Sequence, residues 1–202
     1  MRKMRRVFRP IRLRKAEGVM SFQNPRVFLS PDFIIRAAAQ PWELTGIAGL
    51  RRQVFVDEQG IFKDHDRDAI DAIAMPLAAI STIASEADQV VGTVRIHEES
   101  PRLWRGSRLA VVQTHRRMGR LGAELIRLAV CTAHGRGCDR FLAQVQMQNV
   151  TLFERLHWAS LREVEVHGVP HMEMEADLSA YPAIPDPFVG WKSLSSQRGR
   201  AA

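Results

Sequence analysis

The 202-residue chain is 46% apolar, enough for one sizeable core and too short for two ordinary domains. Its formal charge of +7 resides in residues 1–19, where Arg2, Lys3, Arg5, Arg6, Arg9, Arg12, Arg14 and Lys15 face one acid, Glu17. Residues 20–202 hold 21 basic and 21 acidic residues, so the body of the chain lacks the cationic surplus that a nucleic-acid backbone requires, and no apolar run approaches the ~20 residues of a membrane helix.

Residues 1–30 are expected to be a disordered or artefactual basic extension. Nucleic-acid binding, an anionic membrane surface, a targeting peptide and a start at Met20 are the alternatives for it. Phe33–Ala37 then reads as a first strand. Pro41 suits the first turn of a helix, and Leu44, Ile47, Leu50 and Val54 give it an apolar face ending near Gly60. An acidic stretch with Asp64, Asp66, Asp68 and Asp71 follows. The run Leu77–Ala84 and the alternating Gln89–Ile96 form a predicted hairpin turning at Ala87-Asp88. A strand over Ser107–Val112 leads to a helix from Gly119 to about His134, stopped by Gly135 and Gly137.

Phe141–Val145 is a predicted strand, Val150–His157 a short helix, and Glu163–Val166 and His171–Glu175 two closing strands around a Gly168-Val169-Pro170 turn. The Pro-, Ser- and Gly-rich residues 181–202 are expected to leave the core. This order predicts an α/β (α+β) fold over residues 31–180, a mixed and mostly antiparallel sheet flanked by helices. Cys131 and Cys138 match no metal or redox spacing and are expected to be reduced thiols of a cytoplasmic protein.

The chemistry concentrates in residues 108–126. A strand there enters a loop with Gly119 and Gly122 and basic Arg116, Arg117 and Arg120, and the loop opens directly into a helix. Unpaired N–H groups at a helix start form an anion site, and glycine lets a pyrophosphate approach the backbone.

This segment resembles the acyl-coenzyme A loop of the GNAT superfamily of N-acetyltransferases, Gln/Arg-x-x-Gly-x-Gly/Ala. Arg117-Met-Gly-Arg-Leu-Gly122 matches it with Arg120 in place of the first glycine. The register one residue earlier keeps that glycine and ends on Leu121. Downstream, Phe141-Leu-Ala-Gln-Val-Gln-Met-Gln-Asn149 and Leu152-Phe-Glu-Arg-Leu-His-Trp158 are similar to the family's next strand, asparagine and helix. Phe153 stands where many members carry the tyrosine that protonates the leaving thiolate, and His157-Trp158 replaces Gly-Phe. Arg52-Gln-Val-Phe55-Val-Asp-Glu58-Gln-Gly-Ile-Phe62 with Asp68 and Asp71 is similar to the front of acyl-homoserine lactone synthases. Taken over residues 33–178, the chain looks nearest to bacterial nitrogen-starvation N-acetyltransferases of nitrilase gene clusters.

The resemblance implies a splayed central pair of parallel strands, with acetyl-CoA or another acyl-CoA bound by Leu109, Ala110, Val111, Val112, Arg117, Met118, Gly119, Arg120, Leu121, Gly122, Asn149 and Phe153. Acceptor contacts are expected from Arg52, Phe55, Glu58, Asp68 and Asp71, with Arg52 pairing one of the aspartates; a solvated acidic loop is the alternative. Calcium is excluded there, because the loop lacks the glycine at its sixth position and has Met75 at its twelfth, and no metal is expected. Glu98, beside His97 and Glu99 at a strand end, is the candidate general base. His115 and His157 are expected to be packing or surface residues. Trp104, Trp158 and Phe153 are expected to be walls of the core or cleft. Three reactions fit: acetyl transfer to a small primary amine, transfer of a longer acyl chain from coenzyme A or acyl carrier protein, and acyl-CoA binding without turnover. A homodimer is compatible with any of them.

Overall fold

A computed structural model describes residues 32–116 and 120–194. The basic extension expected over residues 1–30 lies outside them. The first strand, β1 (Asp32–Ala37), alternates half-buried and buried side chains, as a strand covered unequally on its two faces must. Helix α1 (Pro41–Arg52) starts on Pro41, and the carboxylate of the fully buried Glu43 accepts the N–H groups of Ala39 at 2.8 Å and Gln40 at 3.0 Å. Its last turn widens into a π-helical segment, Gln53–Glu58.

Strands β2 (Met75–Ile83), β3 (Glu86–Ser100) and β4 (Leu103–Val111) form a meander. Then come α2 (Leu121–Gly135), β5 (Arg140–Gln146), α3 (Val150–Glu154), β6 (Trp158–Val166), β7 (Val169–Ala176) and β8 (Trp191–Leu194). They build an eight-stranded sheet in the order β6-β7-β5-β4-β3-β2-β1-β8, antiparallel throughout except for β4 with β5.

Period-two alternation sends side chains to two separate clusters. Leu77 and Ala79 of β2 join Leu121, Leu125 and Leu128 of α2 on one face. Ala78 and Ile80 join Ile47 and Leu50 of α1 on the other. The two helices therefore cover opposite faces of the sheet. Cys131 and Cys138 are buried free thiols on the α2 side, and burial pushes Cys138 up to about 11.

Three expectations are corrected. The β2–β3 turn lies at Ala84-Ser85, both with positive φ, rather than at Ala87-Asp88. Strand β6 begins at Trp158, five residues before the expected start, and a register shift between Ser160 and Arg162 interrupts its alternation. Residues 182–194, expected to leave the core with the rest of the tail, return to the sheet instead. Tyr181 is buried, the Ile184 N–H bonds to the Cys131 carbonyl at 3.2 Å, and β8 pairs with β1. Trp191 donates its indole N–H to Glu124 of α2 at 2.9 Å, and Arg127 stacks over the same ring.

Candidate active site

The parallel pair carries the central feature of the fold. Its pairing runs from Leu103 opposite Arg140 to Gly106 opposite Ala143 and stops there, although β4 continues to Val111 and β5 to Gln146. The outer halves of the two strands therefore diverge. The bend has a local cause. A register shift sets Arg95 against Ser107 but Thr93 against Ala110, so β4 carries an extra residue, and Arg108 takes a positive φ of 56°. Such a bulge redirects a strand. Beyond it, the Val112 N–H bonds to the Val91 carbonyl at 2.9 Å. By antiparallel alternation, Val111 then turns its own N–H away from β3, into the gap that β5 has left.

Helix α2 opens at the end of β4. The Arg120 side chain makes no capping hydrogen bond, and the first helical bond runs from the Glu124 N–H to the Arg120 carbonyl at 2.8 Å. The N–H groups of Leu121, Gly122 and Ala123 therefore have no partner within the helix. Among the described residues no heavy atom lies within 4 Å of where a Cβ on Gly122 would stand, so a side chain there would meet no described neighbour. Uncapped donors and a diverging strand pair fit a pyrophosphate with an extended arm behind it. Arg117, Met118 and Gly119 of the expected loop lie outside the described residues.

The segment after the π turn crosses the mouth of the gap. Glu58 pairs with Arg116 beyond β4, and Gln59 accepts a 3.4 Å hydrogen bond from Gln146 at the end of β5. Phe62 lies beneath the Arg108 guanidinium at 4.8 Å and edge-on to His167 in the β6–β7 turn. Phe55 is buried among Val90 and Ala110 on the α1 face and supports this crossing from below.

On that face, α1 and the acidic loop enclose an open cavity of ≈ 890 Å³. Five of its charged lining residues, Arg51, Asp66, Asp71, Arg95 and Arg108, form with Asp68 a closed ring of three arginines and three aspartates, each aspartate bridging two arginines. Asp66 bridges Arg51 at 2.7 Å and Arg108 at 3.1 Å. Asp71 bridges Arg51 at 2.6 Å and Arg95 at 2.7 Å. Asp68 bridges Arg95 at 2.6 Å and Arg108 at 3.0 Å. The hydrogen bond from Arg95 holds the Asp68 carboxyl below the usual range. Burial opposes ionisation of Asp71, but hydrogen bonds from Arg51, Arg95 and the Asp68 N–H outweigh it and hold this carboxyl well below the usual range.

A depressed folded-state pKa stabilises the fold above the ordinary carboxylate range, and that contribution is lost as pH falls through the folded value. The stability gap between the native chain and Asp71→Asn, measured by urea unfolding, should therefore hold from pH 7 to about pH 5 and narrow below about pH 4. A gap that widens on acidification would contradict this ring.

The structure distributes the expected site residues unevenly. Leu109, Ala110, Val111 and Val112 line or follow the diverging end of β4, and Arg120, Leu121 and Gly122 start α2. Asn149 precedes α3. Phe153 is buried edge-on to Trp158 at 5.0 Å, and Trp158 meets Phe141 in the same way, so these rings belong to the core. Trp104 and His115 are buried too.

Glu98 is not brought to the gap. It sits opposite Trp104 at the closed end of the pair, accepting the Arg102 N–H at 2.7 Å in the β3–β4 turn. Six residues separate it from Gly92, the residue opposite Val111, and that is roughly 20 Å along the strand. Arg52 is exposed and bonds to the Asp64 carbonyl, and the arginine that pairs the aspartates from α1 is Arg51. Arg51, Arg95 and Arg108 escaped the sequence reading. A signal existed for Arg51, which follows Ile47 by four residues and therefore shares the buried face of α1.

A diverging parallel pair followed by a helix whose first N–H groups meet no capping side chain among the described residues is a place where an extended, phosphate-bearing ligand would fit. The Acetyltransferase (GNAT) family model matches residues 48–158, more than half of the chain, and the protein belongs to that family. Among solved structures it is similar to a proposed N-acetyltransferase from Lactobacillus plantarum, at 22% identity and a TM-score of 0.64 over 72% of this chain and 98% of that one. Escherichia coli ElaA gives 18% and 0.60 over 72% and 98%. BjaI, a coenzyme-A-dependent acyl-homoserine lactone synthase solved with SAM and isopentyl-CoA, gives 18% and 0.60 over 72% and 83%. These likenesses define the fold. A comparison with curated protein sequences finds no match.

Proposed function

We propose that the chain is an N-acyltransferase that moves an acetyl or other acyl group from coenzyme A to a primary amine of a small molecule. Within its family the reading is nearest to the nitrogen-starvation N-acetyltransferases, acting in the cytoplasm. The observation that carries it is the loss of β4–β5 pairing beyond Gly106 and Ala143, directly before the uncapped start of α2.

Acyl-CoA supplies an activated thioester. The first-turn N–H groups at Leu121 and Gly122 hold its pyrophosphate, with Arg120 beside them. Leu109 to Val112 align its arm along β4, and the Val111 N–H faces the thioester oxygen, where a fixed donor stabilises developing negative charge. The acceptor enters from the cavity on the α1 face, past Arg52 and the crossing segment of Phe55 and Glu58, with Asp68 and Asp71 fixing the wall. The amine loses a proton, a C–N bond forms, the C–S bond breaks, and coenzyme A leaves as the thiol. Holding both partners together supplies much of the rate.

Glu98 is given no part in this chemistry because of its distance from the gap. A second reading, acyl-CoA binding without turnover, is favoured by the absence of a proton donor at Phe153. The chain's one tyrosine, Tyr181, is committed elsewhere: its hydroxyl bonds to the Leu156 carbonyl and accepts the Trp158 indole N–H.

The test is release of free thiol from acetyl-CoA and longer acyl-CoAs in the presence of a panel of primary amines. Amine-dependent release is expected. Tight acyl-CoA binding with no release on any amine would favour the second reading.

A further inference from the structure

The ring of charges uses every guanidinium nitrogen of two of its arginines but not of the third. In Arg51 all three guanidinium nitrogens are engaged: Nε with Asp66, Nη1 with Asp71, and Nη2 with Asp71 and the Asp66 carbonyl. In Arg95, Nε donates to Ser107, and Nη1 and Nη2 grip both oxygens of Asp68. Arg108 differs. Its Nε and Nη2 reach the Asp66 carbonyl and Asp68, but its Nη1 makes no hydrogen bond among the described residues. That side chain is 16% exposed and lines the cavity.

We infer that the unfilled donors of Arg108 receive the carboxylate of the acceptor, so that the amine acylated belongs to an amino acid or a close zwitterionic relative. The inference rests on the acyltransferase reading and adds the substrate class. Three observations converge on it. The guanidinium is held flat and aimed by Phe62 and by two aspartates, which leaves Nη1 as a fixed, charged donor that suits a carboxylate oxygen. Its charge is under-compensated, for burial and the neighbouring Arg95 depress the Arg108 pKa, whereas Arg51 and Arg95 are raised by their aspartates. Arg108 also directly precedes Leu109 in β4, so a carboxylate held there keeps the adjacent α-amine beside the strand assigned to the thioester. The pyrophosphate of coenzyme A does not compete for this position, because α2 covers the opposite face of the sheet from the cavity.

The test is thiol release from acetyl-CoA and a longer acyl-CoA with matched acceptors, each common α-amino acid against its α-amide, which keeps the amine and removes the carboxylate. For at least one acid, kcat/KM should exceed that of its amide by about 10-fold or more, since the amide offers the guanidinium a neutral acceptor in place of a charged one. Arg108→Gln should erase that ratio. Arg108→Lys, which keeps the charge without the fork, should retain part of it, and circular dichroism of both variants separates this effect from misfolding. Amides or simple amines used as well as acids by the native chain would overturn the inference and leave acyl transfer standing. Should no acceptor release thiol, calorimetric titration of the same pairs decides: acids binding more tightly than amides uphold the inference, and equal or absent binding overturns it. Failure of acyl-CoA itself to bind would overturn the acyltransferase reading with it.

Discussion

Arg51→Met is expected to lower the unfolding free energy by about 3–5 kcal/mol, because it removes one partner from a buried ion network and leaves the other charges uncompensated. Arg51 is 7% exposed and Asp66 4%, so water cannot take over the lost contacts. For a chain of this size the melting temperature should fall by roughly 10 °C. The loss comes from stranded carboxylates more than from lost packing, since methionine matches much of the arginine stem. Adding Asp66→Asn alone to Arg51→Met, which returns the ring to equal numbers of positive and negative groups, should therefore recover part of the stability, and no recovery would mean that the arginine acts through packing alone. Arg102, exposed and paired with exposed Asp139, is the contrast: its substitution should leave the melting temperature essentially unchanged.

Gly122→Trp is expected to weaken acyl-CoA binding at least about 100-fold while leaving the fold intact. A Cβ at this position meets nothing within 4 Å among the described residues, so the indole extends outward rather than into the core. It then occupies the space in front of the free N–H groups of the first α2 turn, where the pyrophosphate is proposed to lie. Losing several charge-assisted hydrogen bonds together easily amounts to the 2.7 kcal/mol that a 100-fold change represents, at about 1.4 kcal/mol per tenfold. A Gly122→Trp protein that melted far below the native chain would place this glycine in the packing of the fold instead.

Much of the fold was legible because its elements obey simple periods. Alternation marked the Gln89–Ile96 part of β3, Pro41 marked the start of α1, and Gly135 and Gly137 marked the end of α2. The misreadings have physical causes. Two-residue hairpin turns with positive φ normally advertise themselves with glycine or asparagine. Here Ala84 and Ser85 adopt the conformation instead, so the turn was placed at the more polar Ala87-Asp88.

Strand β8 is four residues long and lies at a sheet edge, where composition says little. It is located by tertiary contacts that no local pattern encodes. One is the close approach of Gly190 (φ 57°) to the Ile35 carbonyl, 2.0 Å from where a Cβ would stand.

The site was legible in outline only. Glycines, basic residues and a helix start marked the α2 end, but the charged ring joins α1, the acidic loop, β3 and β4 across long stretches of chain. Its aspartates were visible as a cluster, whereas its arginines were scattered among apolar neighbours. Glu98 illustrates the converse error: being near the end of a strand does not say which end of the sheet that is, and the β3–β4 register puts it at the closed one.

The most direct measurement is calorimetric titration of acetyl-CoA and a series of longer acyl-CoAs into the native protein, with Gly122→Trp in parallel. Saturable one-site binding by the native chain, lost in the variant, is the result predicted by a coenzyme A site between β4, β5 and the start of α2. No binding by the native chain at millimolar acyl-CoA, or equal binding by both proteins, would contradict it.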